Sequence, residues 1–304
     1  MRVLIAEDDL TSRTLLEAML KKWGYEVIPC PDGNAAWAAL QSADSPQLAI
    51  LDWMMPGMDG VEVCRRLRGQ SAGEERYVYV ILLTSKTSKH DTVRGIAAGA
   101  DDYIAKPFDP QELHVRLRTG QRIIELQSQL VATREALRVQ ATHDALTGLL
   151  NRRAIVNRLG VELARARRER RPLSVGMLDL DDFKTVNDTR GHGVGDVVLG
   201  ESARRIQAAL REYDAVGRYG GEEFLVIVPG TTRATYPAVF ERILAAIADR
   251  EMPVPGERLS ITASLGVAVS DETSAADELI RAADKALYQA KHKGRNRVEL
   301  ANDD

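Results

Sequence analysis

Carboxylates follow apolar runs at three places in this sequence. Glu7 and Asp8 come after Val3 to Ala6, and Asp52 comes after Leu48 to Leu51. The segment LDLDDFKTVNDTRGHGVGD (178–196) packs five aspartates, a lysine and an asparagine behind another such run. Crowded carboxylates need a cation, and oxygen-only ligand sets suit Mg²⁺. Thr84 ends a further apolar run, and Lys106-Pro107 follows Tyr103-Ile104-Ala105. A hydroxyl and an ammonium beside a metal-bound carboxylate could hold the oxygens of a phosphoryl group. In RYGGEEF (218–224), the adjacent Gly220 and Gly221 suit a tight hairpin with positive φ. If the flanking strands pair, Asp179 and the Glu222-Glu223 turn face each other across a metal. Two divalent cations held in that way activate a hydroxyl and neutralise a phosphate in transfer. An acidic hairpin that merely keeps the chain soluble is the plainer reading, but it leaves the accompanying Lys184, Lys291 and Arg295 unexplained.

These groups need scaffolds. Val3–Ala6, Leu48–Leu51 and Val78–Leu83 read as buried strands alternating with helical segments, which predicts a parallel sheet covered on both faces. Ligand chemistry in such folds sits at the carboxyl ends of the strands. Between Pro110 and His143 there is no further proline and a single glycine, Gly120. Apolar residues recur there at three and four, predicting a helix of about 50 Å at about 1.5 Å per residue. Two heptad frames run along it. Leu113, Leu117, Ile124 and Val131 form one, stronger at the start; Ile123, Leu126, Leu130 and Leu137 form the other, stronger at the end. A parallel coiled coil joining two copies of the chain is expected. Either a switch between seams or one stutter in a fixed packing would produce two frames. A second domain starts at Asp144, with strand candidates at Leu173–Leu178, Phe224–Val228 and Ile261–Val269.

Residues 1 to about 120 resemble the receiver domain of two-component response regulators. The matches are Glu7-Asp8, Asp52 within LDWMMPGMDG, Thr84 in ILLTSK, and Tyr103 with Lys106-Pro107 in DDYIAKPF. The resemblance implies a doubly wound, five-stranded parallel sheet and phosphorylation of Asp52 by a sensor histidine kinase or phosphotransfer protein. It also implies one Mg²⁺ on Glu7, Asp8, Asp52 and the Met54 carbonyl. Thr84 and Tyr103 would report phosphorylation, and Lys106 would contact the phosphoryl group.

Residues 144 to about 298 resemble the GGDEF domain of diguanylate cyclases, with GGEEF at 220–224. The likeness runs through DALTGLLNRR (144–153), DLDDFKTVND, GHGVGD, ASLGVA (263–268) and ADKALYQAKHKGRNR (283–297). It implies an α/β, nucleotide-cyclase-like domain with a largely antiparallel sheet, which condenses two GTP into cyclic di-GMP and two pyrophosphates. By position, Asp179, the Leu180 carbonyl and Glu222 would hold two Mg²⁺, while Asn187 and Asp196 would read guanine. Lys184, Lys291 and Arg295 would bind phosphates. Glu223 would assist the metals or deprotonate the 3′-hydroxyl. Arg190 replaces the family's aromatic before Gly191-His192, a change expected to be tolerated at the surface. One domain binds one GTP, so turnover requires two domains face to face. That implies a homodimer formed through the receiver and the coiled coil. Arg211 and Asp214 match the family's RxxD site for inhibition by product, with Arg242 as a second contact from a neighbouring domain. The alternative is a catalytically inactive effector that binds cyclic di-GMP through Arg211 and Asp214. Intact metal acids and an intact base-reading pair favour the enzyme. The implied plan is a receiver over 1–120, a helical linker over 110–143 and a cyclase domain over 144–304.

Composition narrows the partners. A chain of 304 residues suits two domains, and a net charge of −3 gives no electrostatic case for nucleic acid or acidic membrane. No basic recognition-helix pattern follows the receiver. Arg165 to Arg171, interrupted by Glu169 and followed by Pro172, reads as a solvated helix end. Cys30 and Cys64 form no disulfide framework, which fits a reducing cytoplasm. No run approaches the roughly 20 apolar residues of a membrane span. MRVLIAEDDL puts acids where a signal peptide would be apolar. A cytoplasmic protein is expected.

Overall fold

The apolar runs of the first 105 residues form a parallel five-stranded sheet ordered β2-β1-β3-β4-β5. Its strands are β1 (Arg2–Ala6), β2 (Glu26–Cys30), β3 (Leu48–Asp52), β4 (Tyr79–Thr84) and β5 (Asp102–Ala105). The computed structural model describes all residues except 43, 71–76, 86–94, 96, 272 and 303–304, so Lys86 of ILLTSK lies outside the described residues. The chain divides into two compact units, Met1–Glu135 and Ala136–Asp304.

In the first unit, β3 and β4 are buried along their whole length, which is why they read as unbroken apolar runs. The sheet has a core layer on each face. Leu4, Leu51 and Leu82 pack with residues of α2 (Gly33–Leu40) and α3 (Gly60–Gln70). Ile5, Ile50 and Ile81 pack with Leu16 and Leu20 of α1 (Leu10–Lys22). Asp9 and Asp32 start α1 and α2 by accepting from the amides of Ser12 and Ala35.

The next helix, α4, is continuous over Pro110–Thr142. It corrects the two-frame expectation. Leu113, Leu117 and Ile124 are buried in the second core layer of the first unit, beside Ile50 and Ile81. These three belong to the first unit's own core and are closed to a partner, while Val131 of the same frame is half-buried and outside that core. Ile123, Leu126, Leu130 and Leu137 remain exposed at 38%, 55%, 62% and 59%. One apolar stripe is therefore left for association.

The second unit holds a five-stranded sheet ordered β12-β11-β6-β8-β7. It comprises β6 (Leu173–Leu180), β7 (Ala215–Gly220), β8 (Glu223–Pro229), β11 (Ala263–Val269) and β12 (Val298–Leu300). All neighbours pair antiparallel except β11 and β12. Strands β9 (Met252–Val254) and β10 (Glu257–Leu259) form a separate hairpin. On one face, Phe224 and Leu265 pack against α7 (His192–Ala209) and α8 (Tyr236–Ala248) through Val198 and Phe240. On the other, Met177 and Leu225 pack against α5 (Arg152–Glu169) and α9 (Ala276–His292) through Leu159 and Leu287. The remaining helix, α6 (Phe183–Arg190), follows β6 directly. Arg170 takes φ 51° after α5, which ends that helix before Pro172. The predicted strand at Ile261–Val269 begins later, at Ala263, because its partner β6 ends at Leu180, opposite Ala263.

Candidate functional site

In the first unit, parallel strands bring Glu7 and Asp8 from the end of β1 together with Asp52 at the end of β3. One ligand oxygen from each lies within 4.8 Å of the others. This is the point where strand order reverses, a natural ligand crevice. Lys106 reaches in from beyond β5, with Nζ 2.5 Å from Glu7 Oε2 and 2.7 Å from Asp52 Oδ2. Burial works against its charge, but bonds to Asp52 and Glu7 outweigh that and hold the ammonium above its usual range. Burial likewise pushes the Glu7 carboxyl up, against the pull of Lys106. Three acids sharing a partly buried site with one ammonium fit a divalent cation. The Met54 amide donates to Asp52 Oδ1 at 3.3 Å. Thr84 is buried and its carbonyl accepts from the Lys106 amide at 2.7 Å, whereas Tyr103 is exposed.

In the second unit, antiparallel pairing of β6 with β8 sets Asp179 opposite Glu223. The tight hairpin expected of Gly220-Gly221 takes its positive φ at Gly221, 47°. The Glu222 carbonyl accepts from the Leu180 amide at 3.4 Å, which seats the acidic turn on the end of β6. Lys291 Nζ lies 2.9 Å from Asp179 Oδ2. Burial raises the Asp179 carboxyl above its ordinary range despite that ammonium. Burial and then the Asp179 charge raise Glu223. Among the described residues only Glu7, Asp8 and Asp52 of the first unit draw three ligand atoms within 4.8 Å; here Lys291 pairs with Asp179 instead. Buried, mutually repelling carboxylates around one ammonium suit cations.

Around these acids the sequence-predicted contacts fall on α6, α7 and the end of α9. Lys184 and Asn187 ride on α6, and Asp196 lies in the first turns of α7. A Cβ on Gly195 would stand 2.0 Å from Asn187 Oδ1, so glycine leaves room for the Asn187 side chain where α6 meets the first turns of α7. Arg295 sits beyond α9 with Nε 3.6 Å from Asp182 Oδ1. Arg190 pairs with Glu257 of β10 at 2.6 Å on the surface.

Arg211 and Asp214 lie in the connection between α7 and β7. Asp214 Oδ2 accepts from the Arg211 amide at 2.9 Å, while its Oδ1 is buried without a partner. Burial holds that carboxyl above its usual range. Arg242 donates to the Ala209 carbonyl at 2.9 Å within the same domain. Sequence reasoning left Arg165 and Arg171 as solvated. Both line a cavity of about 420 Å³ with Arg211 and Tyr213. Only their convergence in space reveals this, since sequence spacing alone describes an ordinary cationic helix end.

The comparisons agree with this geometry. Residues 3–118 match the response regulator receiver domain, and residues 141–297 match the diguanylate cyclase, GGDEF domain. The chain belongs to the GGDEF diguanylate cyclase domain family, with a response regulator receiver domain ahead of it. The "Response regulator PleD" of Caulobacter vibrioides is 33% identical over 300 residues, covering 98% of this chain and 65% of that protein. The chain thus spans about two thirds of the length of that relative, falling just short of it. A structure of the coiled coil and GGDEF domain of DgcB from Caulobacter crescentus, in complex with c-di-GMP, matches with a TM-score of 0.57 at 32% identity. It covers 62% of this chain and 99% of that one. Diguanylate cyclase SiaD from Pseudomonas aeruginosa, solved with its activator SiaC, matches at 0.53 and 38% identity over 63% of this chain and 75% of that one. No helix among the described residues is long and apolar enough to cross a membrane.

Proposed function

We propose that this chain is a cytoplasmic, phosphorylation-activated diguanylate cyclase that condenses two GTP into cyclic di-GMP and two pyrophosphates. The observation that carries the reading is the β6–β8 register, which sets Asp179 against Glu223 with Lys291 beside them. Asp179, the Leu180 carbonyl and Glu222 would hold two Mg²⁺. When bound, these ions polarise the α-phosphate and favour ionisation of the attacking 3′-hydroxyl. Asn187 and Asp196 orient the guanine, since an aspartate accepting from ring and exocyclic N–H groups excludes adenine. Lys184, Lys291 and Arg295 bind the triphosphate, and Lys291 is placed to exchange Asp179 for a phosphate. Glu223, whose carboxyl burial raises above its ordinary range, is the candidate to receive the 3′-hydroxyl proton. Each 3′-oxygen then attacks the other nucleotide's α-phosphate and displaces pyrophosphate, so two domains must meet.

The remaining parts serve control. Residues 1–120 act as a receiver taking a phosphoryl group on Asp52 from a histidine kinase or phosphotransfer protein. One Mg²⁺ on Glu7, Asp8, Asp52 and the Met54 carbonyl assists, with Lys106 on the phosphoryl group and Thr84 and Tyr103 as the switch. Residues 110–143 link the domains and pair two copies through Ile123, Leu126, Leu130 and Leu137, and residues 144–304 carry the chemistry. Cyclic di-GMP binding at Arg211 and Asp214, with Arg242, slows the enzyme. Glu222→Ala should abolish product formation from GTP and Mg²⁺, and retained turnover would overturn the metal assignment. Asp52→Asn should keep basal activity and lose activation by a small phosphoryl donor; unchanged activation would rule out the receiver route.

A further inference from the structure

Asp181 stands between the metal acid Asp179 and the start of α6, and its side chain is 5% exposed. Its Oδ1 accepts from Ser264 Oγ at 2.7 Å, and its Oδ2 accepts from Thr262 Oγ1 at 2.6 Å and from the Asn296 amide at 3.1 Å. Its own amide donates to the Thr262 carbonyl at 2.9 Å. One buried carboxylate thus ties the end of β6 to the start of β11 and to the turn after α9. A buried charge survives only with such a set of donors.

The turn it holds is strained. Arg295 and Asn296 take φ of 61° and 45°, the left-handed region, and neither is glycine. Two consecutive residues in that region persist only where the surroundings over-determine them. The surroundings here are the Arg295 amide bonded to the Ala290 carbonyl at 3.1 Å and the Asn296 amide bonded to Asp181. From this turn Arg295 reaches the residue before α6, with Nε 3.6 Å from Asp182 Oδ1.

We infer that Asp181 is a positioning residue for GTP: by holding the Asn296 amide it fixes the left-handed turn that presents Arg295 to a triphosphate. The inference rests on the cyclase reading for the identity of the nucleotide. The near-isosteric change Asp181→Leu keeps the volume but leaves no oxygen to accept from the Asn296 amide. Losing a charged hydrogen bond of this kind should lower affinity for GTP about tenfold. Guanosine, which has no phosphate, should bind the variant as it binds the wild type.

The test is calorimetric titration of full-length wild type, Asp181→Leu, Arg295→Ala and the double variant with GTP and with guanosine. Thermal melts accompany each titration. A tenfold loss for GTP alone, absent when Arg295 is already alanine, supports the inference. Equal loss for GTP and guanosine, or a full additional loss on top of Arg295→Ala, overturns it in favour of a general scaffold role. Hydrogen exchange at the Asn296 amide of the wild-type chain reads the same bond without any substitution. Slow exchange supports it, and exchange at the rate of an open turn overturns it whether or not the variants fold. A wild type that binds no GTP would instead refute the cyclase reading, and the exchange measurement would still decide the role of Asp181.

Discussion

Gly195→Ala isolates the guanine-reading step, because the closest obstacle is the Asn187 side chain, with Phe183 Cζ next at 3.2 Å. The glycine lies in α7 with ordinary helical backbone, so alanine suits the helix and favours it by up to about 1 kcal/mol. The added Cβ would lie 2.0 Å from Asn187 Oδ1 and 3.0 Å from its Cγ. Non-bonded heavy atoms need roughly 3.5 Å. Asn187 must therefore swing out by more than an ångström, and α6 keeps its fold while losing its aim. A polar group of the base left without its partner costs about 1–3 kcal/mol, or roughly 5- to 150-fold in GTP affinity. Steady-state kinetics with GTP and Mg²⁺ should show that rise in KM and a narrower preference for GTP over ATP, at an unchanged or slightly higher melting temperature. In an Asn187→Ala background the same change should add nothing. A folded variant whose KM stays within about twofold of wild type would refute the argument that this contact aims Asn187 at the substrate.

Three further outcomes follow from the geometry. Leu130→Glu should convert a dimer to monomer in sedimentation without lowering the melting temperature, because Leu130 is 62% exposed. Leu117→Glu should unfold the first unit instead, since that side chain is fully buried in its core. In the second unit, hydrogen bonds from Arg204 and Arg205 hold the Glu201 carboxyl down at about 2. A folded-state value below the unfolded one means stability that is complete above about 4.5 and lost as pH falls toward about 2. Glu201→Gln should flatten acid unfolding in that window, which a melting series across pH would read.

Much of both sites was legible because chemistry and burial coincide in sequence. Strands β3, β4 and β6 are buried along their whole length, so each reads as a largely apolar run; β3 and β6 carry an acid at or next to their ends, and β4 carries Thr84. Edge and short strands were not legible. Strand β2 is EVIPC, only partly buried and with Pro29 inside it, a pattern that only an edge tolerates. The β9–β10 hairpin and β12 have three residues per strand, too few for any period to show. Heptad spacing found the apolar face of α4 but could not say what covers it. A receiver core took Leu113, Leu117 and Ile124, and the periodicity is the same for a core as for a partner. Asp181 read as one more acid in a crowded cluster. Its donors lie 81, 83 and 115 residues away, and nothing local marks them.

The central claim is the chemistry, and one incubation addresses it directly. Purified full-length protein is mixed with GTP and Mg²⁺, with and without a small phosphoryl donor, and the nucleotides are separated by chromatography. Cyclic di-GMP should accumulate with two pyrophosphates per product, faster when the donor is present. Unchanged GTP under both conditions, from a folded protein that binds it, would contradict the claim.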